Sequence, residues 1–458
     1  MIKNKLKRIQ DLSEGEGLLE KYYDYWMAGV SIDTRSLKEG NIFIPIVGVN
    51  FDGHRFLDQA IKGGASAALW QKDRPIPDVD FPIIVVDDTL EALQILAKNY
   101  KDLLKSLKVI GITGSNGKTA TKDILFAILS QKFKTKRTIG NFNNHIGLPL
   151  TLLDLDLETE VAILEMGIDG FHQMEVLTNL ANPNVSIVTN IGPSHLDLLE
   201  TQTNVARAKL EILDGMEATG NLIYNLDNQV LKDVMEEYNI AQNKISFGKS
   251  TESDFKIEIL SSGKDGILFN IYEAGKAYVI ELALMGPHNA YNAAASIAVA
   301  RGLNMSYDEI KEGLKHLNMT GMRNEIVEKE DFTILNDVYK SNPDSLSAAL
   351  DTLYNIDGYP SKAVVLGDMV DLGEGVEALH QEIGQKIKED QISKIFTIGP
   401  LAKHIGDSAK SNFDSSRIFH CHTKEELVRS IKENIDKGSL VLVKASRSVG
   451  LEDVIDKL

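Results

Sequence analysis

Between Val109 and Leu129 the chain reads VIGITGSNGKTATKDILFAIL, an apolar β-branched run, three spaced glycines, a lysine and threonine, then a helix-forming segment. Gly111, Gly114 and Gly117 let the main chain approach an anion closely and tolerate positive φ. The helix that follows offers unpaired amides and the positive end of its dipole. Lys118 can reach the β- and γ-phosphates of a nucleotide, and the Thr119 hydroxyl can coordinate Mg²⁺. The generic phosphate-loop expression G-x-x-x-x-G-K-[ST] needs a glycine where this chain has Ile112, and a G-x-G-x-x-G dinucleotide fingerprint is absent. The strand–turn–helix context still predicts a phosphate cradle with shifted spacing rather than an incidental turn.

Other groups fall where they can join this cradle. VAILEMG ends in Glu165, and VSIVTNIGPSHLD runs into a loop holding His195 and Asp197. If both strands lie parallel to the cradle strand, all these groups meet at one carboxyl edge, where open α/β sheets bind ligands. Glu165 with Thr119 can then hold one Mg²⁺, and His195 can place a nitrogen near a second. Taken singly, a strand-end glutamate is a solvated edge and a lone histidine is structural; convergence on the cradle favours the metal reading. Arg207, Lys209 and Glu211 lie in TNVARAKLEIL, where a helix lysine is by default a solvated charge. In GPHNAYNAAASIAVA, His288 and Asn289 stand at a helix start with Asn292 one turn on. The Asn292 amide can meet an adenine edge, although asparagine there also serves as a plain cap.

Positioning these groups takes several domains. The 458 residues suffice for about three domains, and 43% hydrophobic with 25% charged residues is the balance of a globular protein. A net charge of −17 opposes nucleic acid and anionic membranes, so an anionic ligand needs local cations, amides or metal. No apolar run is long enough to span a bilayer, and the polar start MIKNKLKRIQDLSEGEG lacks the apolar core of a signal peptide; a cytoplasmic protein without membrane insertion is expected. The single Cys421 excludes an internal disulfide and reads as a partly buried structural thiol.

Along the chain, strand candidates NIFIPIVG and FPIIVVDD and helix candidates FLDQAIKGGASAALW and TLEALQILAKNYKDLLKSL predict a small N-terminal α/β domain, residues 1–105. A central doubly wound parallel sheet of phosphate-loop type follows, residues 106–321. The alternation restarts with FTILNDVY, SKAVVLGDM, ISKIFTIG and SLVLVKAS, predicting a C-terminal Rossmann-like domain over 322–458.

GITGSNGKTATKD, LEMG, IGPSHLD, ARAKLEIL and GPHNAYNAAAS, in this order, resemble the ATP-dependent Mur ligases of peptidoglycan synthesis, whose loop reads G-x-x-G-x-N-G-K-T/S. Gly111 is in register for that family, and the resemblance covers nearly the whole chain. It implies nucleotide contacts from Gly114, Ser115, Asn116, Gly117, Lys118, Thr119 and Ala120, with Asn289 and Asn292 beyond them. Lys209 matches a lysine commonly carbamylated in these ligases, which turns a cation into an anionic Mg²⁺ ligand and reverses the solvated-charge reading. Arg323 and Asp337 match C-terminal residues that close over ribose and phosphates.

Four further stretches, SIDTRSLKEGNIFIPIVGVNFDGHRFLDQAIKGGA, GNFNNHIGLPLTLL, ILNDVYKSNPDSLSAAL and VVLGDMVDLGE with HQEIG, resemble the branch that adds D-Ala-D-Ala to UDP-N-acetylmuramoyl tripeptide. This implies that Asp33, Thr34, Arg35, Phe51, Asp52, Gly53 and His54 lie near the UDP-linked substrate, that Asn141, Asn143 and Asn144 border its peptide, and that Tyr339, Asn342, Pro343 and Ser345 complete the pattern. The branch usually has asparagine and alanine where this chain has Lys340 and Ser341. Lys340 is read as a surface variation, the alternative being an altered contact near the amino substrate. Ala120 stands for the commoner threonine, and Ala445 for glycine in a stretch that keeps Lys444, Ser446 and Arg447.

The implied chemistry is phosphorylation of a carboxylate by ATP with two Mg²⁺ ions, then attack by an amine, in a monomer that is open without ligand and closed with it. The rivals are another amide ligase of the superfamily, of MurE, folylpolyglutamate synthase or cyanophycin type, and a phosphate-loop NTPase without ligase activity.

Overall fold

The computed structural model describes residues 1–321 and 325–458, so Arg323 lies outside the described residues. The cradle strand Lys108–Thr113 lies between Val161–Glu165 and Val185–Val188, parallel to both. VIGIT, VAILE and VSIV are near-continuous apolar runs because these strands are covered on both faces. Glu165 and the loop to His195 therefore leave the sheet at the same edge as the cradle, as expected.

Among the described residues the central sheet has nine strands. Beyond the parallel strands Asn221–Asn225 and Asn243–Gly248 it continues into an antiparallel arm, Phe255–Gly263, Gly266–Glu273 and Lys276–Leu282. This arm departs from the parallel pattern the sequence predicted. Its apolar residues Ile257, Phe269, Ile271 and Ile280 face the helix layer and share one core with the cradle helix Lys118–Leu129 and with His288–Gly302. The second of these helices is alanine-rich, so it can approach the cradle helix closely.

At the N-terminus, Val30–Ser31, Ile42–Phe43, Ala67–Gln71 and Ile83–Val86 form a parallel sheet. FLDQAIKGGASAALW is not one helix. It is a helix over Leu57–Lys62, a turn at Gly63 and Gly64 with Gly64 at φ +88, and then the strand Ala67–Gln71. Two glycines stop the helix and free the β-prone ASAALW to pair. The core of this unit is continuous with that of the central sheet: Ile2, Leu6, Leu93 and Leu96 pack in one cluster with Leu148, Leu152 and Leu164. Tyr100 donates from its hydroxyl to the Leu155 carbonyl at 2.8 Å across the same junction.

The C-terminal sheet runs Glu325–Glu328, Thr333–Asn336, Leu440–Lys444, Lys362–Gly367, Lys394–Ile398, Ile418–Cys421, parallel except at its first strand. It has separate cores on its two faces. Cys421 is buried and free at the last strand, the structural thiol expected. Where this domain meets the central one, hydrogen bonds cross the junction, among them Leu196 N–H to the Asp371 carbonyl at 3.1 Å, and Met285 packs against the C-terminal core.

Candidate functional site

The cradle turns at two glycines that only glycine suits. Gly114 has φ +145, and a Cβ there would stand 1.9 Å from Thr189 Oγ1; Gly117 has φ +83, and its Cβ would stand 2.4 Å from Asn292 Oδ1. The loop between them is pinned to the neighbouring strand end. Ser115 Oγ donates to the Gly192 carbonyl at 3.0 Å, and Asn116 N–H donates to Asn190 Oδ1 at 2.8 Å. Lys118 Nζ folds back to donate to the Gly114 carbonyl at 2.6 Å. That places the ammonium over the loop mouth, where an anion would sit.

Thr119 Oγ1 donates to Glu165 Oε2 at 2.8 Å, and Asn143 Nδ2 donates to Glu165 Oε1 at 3.0 Å. Both carboxylate oxygens are thus held, and Lys122, fully buried, lies 3.9 Å from Oε2 and 3.5 Å from Asp123 Oδ1. Asp123 also pairs with Arg137 at 2.7 Å. The sequence reading missed this buried charge network, although KD in the cradle helix is its visible trace. Asn144 Oδ1 accepts from Gly147 N–H at 2.9 Å just ahead of the helix Gly147–Leu153, and Asn141 is exposed.

His195 sits in a left-handed turn, φ 54, and its Nε2 is 2.9 Å from Lys340 Nζ. Burial, then the charges of Lys340, Lys209 and Lys118, hold the imidazole down to a pKa of about 3. It is therefore neutral, and Lys340 donates to it. Lys340 is exposed to solvent, as a surface position would be, yet it is more than a surface variation: it lines the cleft and meets His195 from the C-terminal domain. The solvated-charge reading of Lys209 fails too. It is 2% exposed, no hydrogen bond or ion pair reaches its amine among the described residues, and burial followed by the Lys118 charge holds that amine well below the ordinary lysine range.

The cradle opens into a cleft of about 960 Å³ lined by both domains, with Ser115, Asn116, Lys118, Thr119, Ala120 and His195 on one wall and Asp337, Tyr339, Lys340 and Ser345 on the other. Asn289 and Asn292 line it as well, but their amides are already bonded. Asn292 Nδ2 donates to Asn289 Oδ1 at 2.9 Å, Asn292 Oδ1 accepts from Thr121, and Asn289 Nδ2 donates to the Met285 carbonyl. Asn292 thus clamps two helices together with one amide N–H and one lone pair, and its second N–H is left over at the cleft. His288 Nδ1 has no partner among the described residues. Asp227, held by Tyr291 Oη at 2.8 Å and by Lys249 and Ser250 amides, lines the cleft unforeseen; its place just beyond a parallel strand was the available signal.

From the C-terminal domain, Lys444, buried, donates to Asp337 Oδ2 at 2.6 Å and to the Lys340 carbonyl at 2.8 Å. The Arg447 guanidinium lies 5.4 Å from the Tyr339 ring centre. Asn342 and Asn116 exchange amide hydrogen bonds of 3.0 and 3.3 Å across the domain interface.

The N-terminal candidates form a separate group away from the cleft. Asp33 pairs with Arg35 at 2.6 Å, which lowers its carboxyl to about 2, and Thr34 donates to Gln59 at 3.2 Å. Gln71 N–H donates to His54 Nε2 at 3.3 Å, so the proton sits on Nδ1 and reaches Asp52 Oδ1 at 2.9 Å. Gly53 packs against Ile46, and a Cβ there would stand 2.8 Å from its nitrogen. Phe51 is 54% exposed and stacks on Phe56.

A phosphate cradle on one domain that faces a lysine-bearing loop of another across one cleft is the arrangement of an ATP-dependent ligase. Profiles of the Mur ligase family, catalytic domain, of the Mur ligase middle domain and of the Mur ligase, glutamate ligase domain match residues 27–101, 112–300 and 322–447. The chain belongs to the Mur ligase family, on its MurF branch. It is 39% identical to the UDP-N-acetylmuramoyl-tripeptide–D-alanyl-D-alanine ligase of Bacillus subtilis strain 168, over 100% of this chain and 99% of that protein. Among solved structures it resembles MurF from Acinetobacter baumannii, with TM-score 0.90, 26% identity, and 100% and 99% of the two chains covered. It also resembles MurF ligase from Thermotoga maritima in complex with ADP, with TM-score 0.81, 27% identity, and 94% and 97% covered.

Proposed function

We propose that this chain joins D-Ala-D-Ala to UDP-N-acetylmuramoyl tripeptide, with ATP cleaved to ADP and phosphate, as a cytoplasmic monomer in peptidoglycan precursor synthesis. A carboxylate oxygen of the tripeptide attacks the γ-phosphorus, the bond to the β-phosphate oxygen breaks and ADP leaves. The dipeptide amine then attacks the carbonyl carbon of the acyl phosphate, the C–N bond forms, phosphate leaves and the amine proton passes to a base. The observation that carries this reading is the Lys118–Thr119 cradle edge facing Asp337, Tyr339 and Lys340 across one cleft.

In this reading residues 1–105 hold the UDP-linked peptide, 106–321 the nucleotide, and 322–458 close over both. Carboxylate attack on a phosphate sets anion against anion, so Lys118 neutralises the developing charge. Thr119 and Glu165 fit a Mg²⁺ ion, since both are hard oxygen donors already adjacent at the cradle. Bound there, the ion would neutralise the β- and γ-phosphates. Lys209 and His195 are the residues for a second ion: burial favours the neutral form of the Lys209 amine, the form that takes up CO₂ as a carbamate, and His195 has a neutral imidazole. His195 Nε2 becomes available only when Lys340 releases it.

The assay supplies ATP, Mg²⁺, UDP-N-acetylmuramoyl tripeptide and D-Ala-D-Ala and follows phosphate. Release that requires the dipeptide is expected; release indifferent to it overturns the reading.

A further inference from the structure

Lys340 is a cleft residue to which the reaction outlined above gives no chemical role. Its ammonium reaches the active cleft from the C-terminal domain, and its only hydrogen bond or ion pair among the described residues is to the neutral imidazole of His195, at 2.9 Å. An ammonium has three N–H bonds, and His195 takes one.

Its main chain is fixed independently of that contact. The Lys340 carbonyl accepts from Lys444, which is anchored on Asp337, and two residues later Asn342 is bonded to Asn116 of the cradle. The backbone of this loop thus rests on the rim of the phosphate cradle, while a flexible four-carbon stem carries the charge inward. His195 lies within electrostatic range of Lys118, Lys209 and Lys340 together. Asp371, Asp169 and Asp197 act on Lys340 only at longer electrostatic range, and none of them forms an ion pair with it among the described residues. The ligand class suited to such a convergence of cations is a multiply charged oxyanion.

We infer that Lys340 is a phosphoryl-contacting catalytic residue, donated across the domain interface onto the γ-phosphoryl group as it passes from ATP to the carboxylate. It rests on the ligase reading and adds a residue to it. Lys118 approaches the phosphates from the cradle and Lys340 from the opposing domain, so full charge neutralisation requires the domains to be together. His195 parks the ammonium when no phosphate is present.

The test compares full-length wild type, Lys340→Met and Lys340→Arg. Calorimetry measures binding of ADP and of a non-hydrolysable ATP analogue, thermal melting checks folding, and dipeptide-dependent phosphate release gives kcat. Expected are equal ADP affinities in all three proteins, loss in Lys340→Met of the extra affinity that the γ-phosphate confers on wild type, and a kcat lowered about 10²-fold. Lys340→Arg keeps the charge and retains part of both. Wild-type kcat in Lys340→Met overturns the proposal, as does an equal fall in ADP and analogue affinity, which would make Lys340 a scaffold for His195. If wild type binds nucleotide but releases no dipeptide-dependent phosphate, the ligase reading fails instead, and the two nucleotide affinities still decide the contact.

Discussion

Asn342 Oδ1 accepts from Ser345 N–H at 2.8 Å and also from Asn116 Nδ2 at 3.3 Å, so one carboxamide both starts a helix and ties the C-terminal domain to the cradle. Asn342→Ala removes the cap, at a cost of about 1 kcal/mol, and leaves the Asn116 amide unpaired. Ser345→Ala removes the reciprocal half of the capping box alone. Both variants are expected to melt earlier, but only Asn342→Ala should expand the protein in small-angle scattering. Equal radii in the two variants would contradict the tie.

Gly117→Ala brings two penalties. The residue keeps φ +83, and the new methyl lies 2.4 Å from Asn292 Oδ1. Backbone strain of this kind costs about 1–3 kcal/mol. Nucleotide affinity measured by calorimetry should fall at least tenfold. A second change, Asn292→Ala, should restore only part of it, because it relieves the clash and leaves the strain.

Lys209→Ala should abolish ligation while leaving the melting temperature unchanged or raised, since the substitution removes a buried amine that no partner satisfies. Restoration of activity by a short-chain carboxylic acid would support the carbamate. Full activity of the alanine variant without additive would eliminate it.

His195 should make the protein acid-sensitive. Its native pKa of about 3 lies below its ordinary 6.5, so between those values the unfolded chain binds more protons than the folded one. Stability therefore falls as pH drops from about 6.5 towards 3. In His195→Asn this part of the slope should vanish from denaturant titrations taken across that range. An unchanged slope would mean that the native imidazole is already charged.

Much of this site was legible because it lies on strands with unmistakable apolar runs. VIGIT, VAILE and VSIV fixed which edge carries Glu165 and His195, and the cradle spacing pointed to Lys118 and Thr119. The N-terminal helix was misread because ASAALW suits a helix as well as a strand, and only its parallel partners Ile42–Phe43 and Ile83–Val86 decide. Lys340 and Lys209 defeated a composition argument for the same reason. A lysine is solvated by default, and only the folded chain brings the exposed Lys340 against His195 and buries Lys209 beneath the cleft. Asn292 carried the opposite lesson, since its amide serves Thr121 and Asn289.

The cluster that packs Ile2, Leu6 and Leu93 together with Leu148, Leu152 and Leu164 bears on how this chain can be recombined. A chimera that takes its first hundred residues from a relative would join two half-interiors that never co-adapted, with mismatched volumes at a buried seam. A crossover near the junction that follows the central domain cuts far less, chiefly the contact of Met285 with the C-terminal core. Exchange of amino-substrate specificity between such ligases is therefore mechanically easier at the carboxyl-terminal end of the chain than at its beginning.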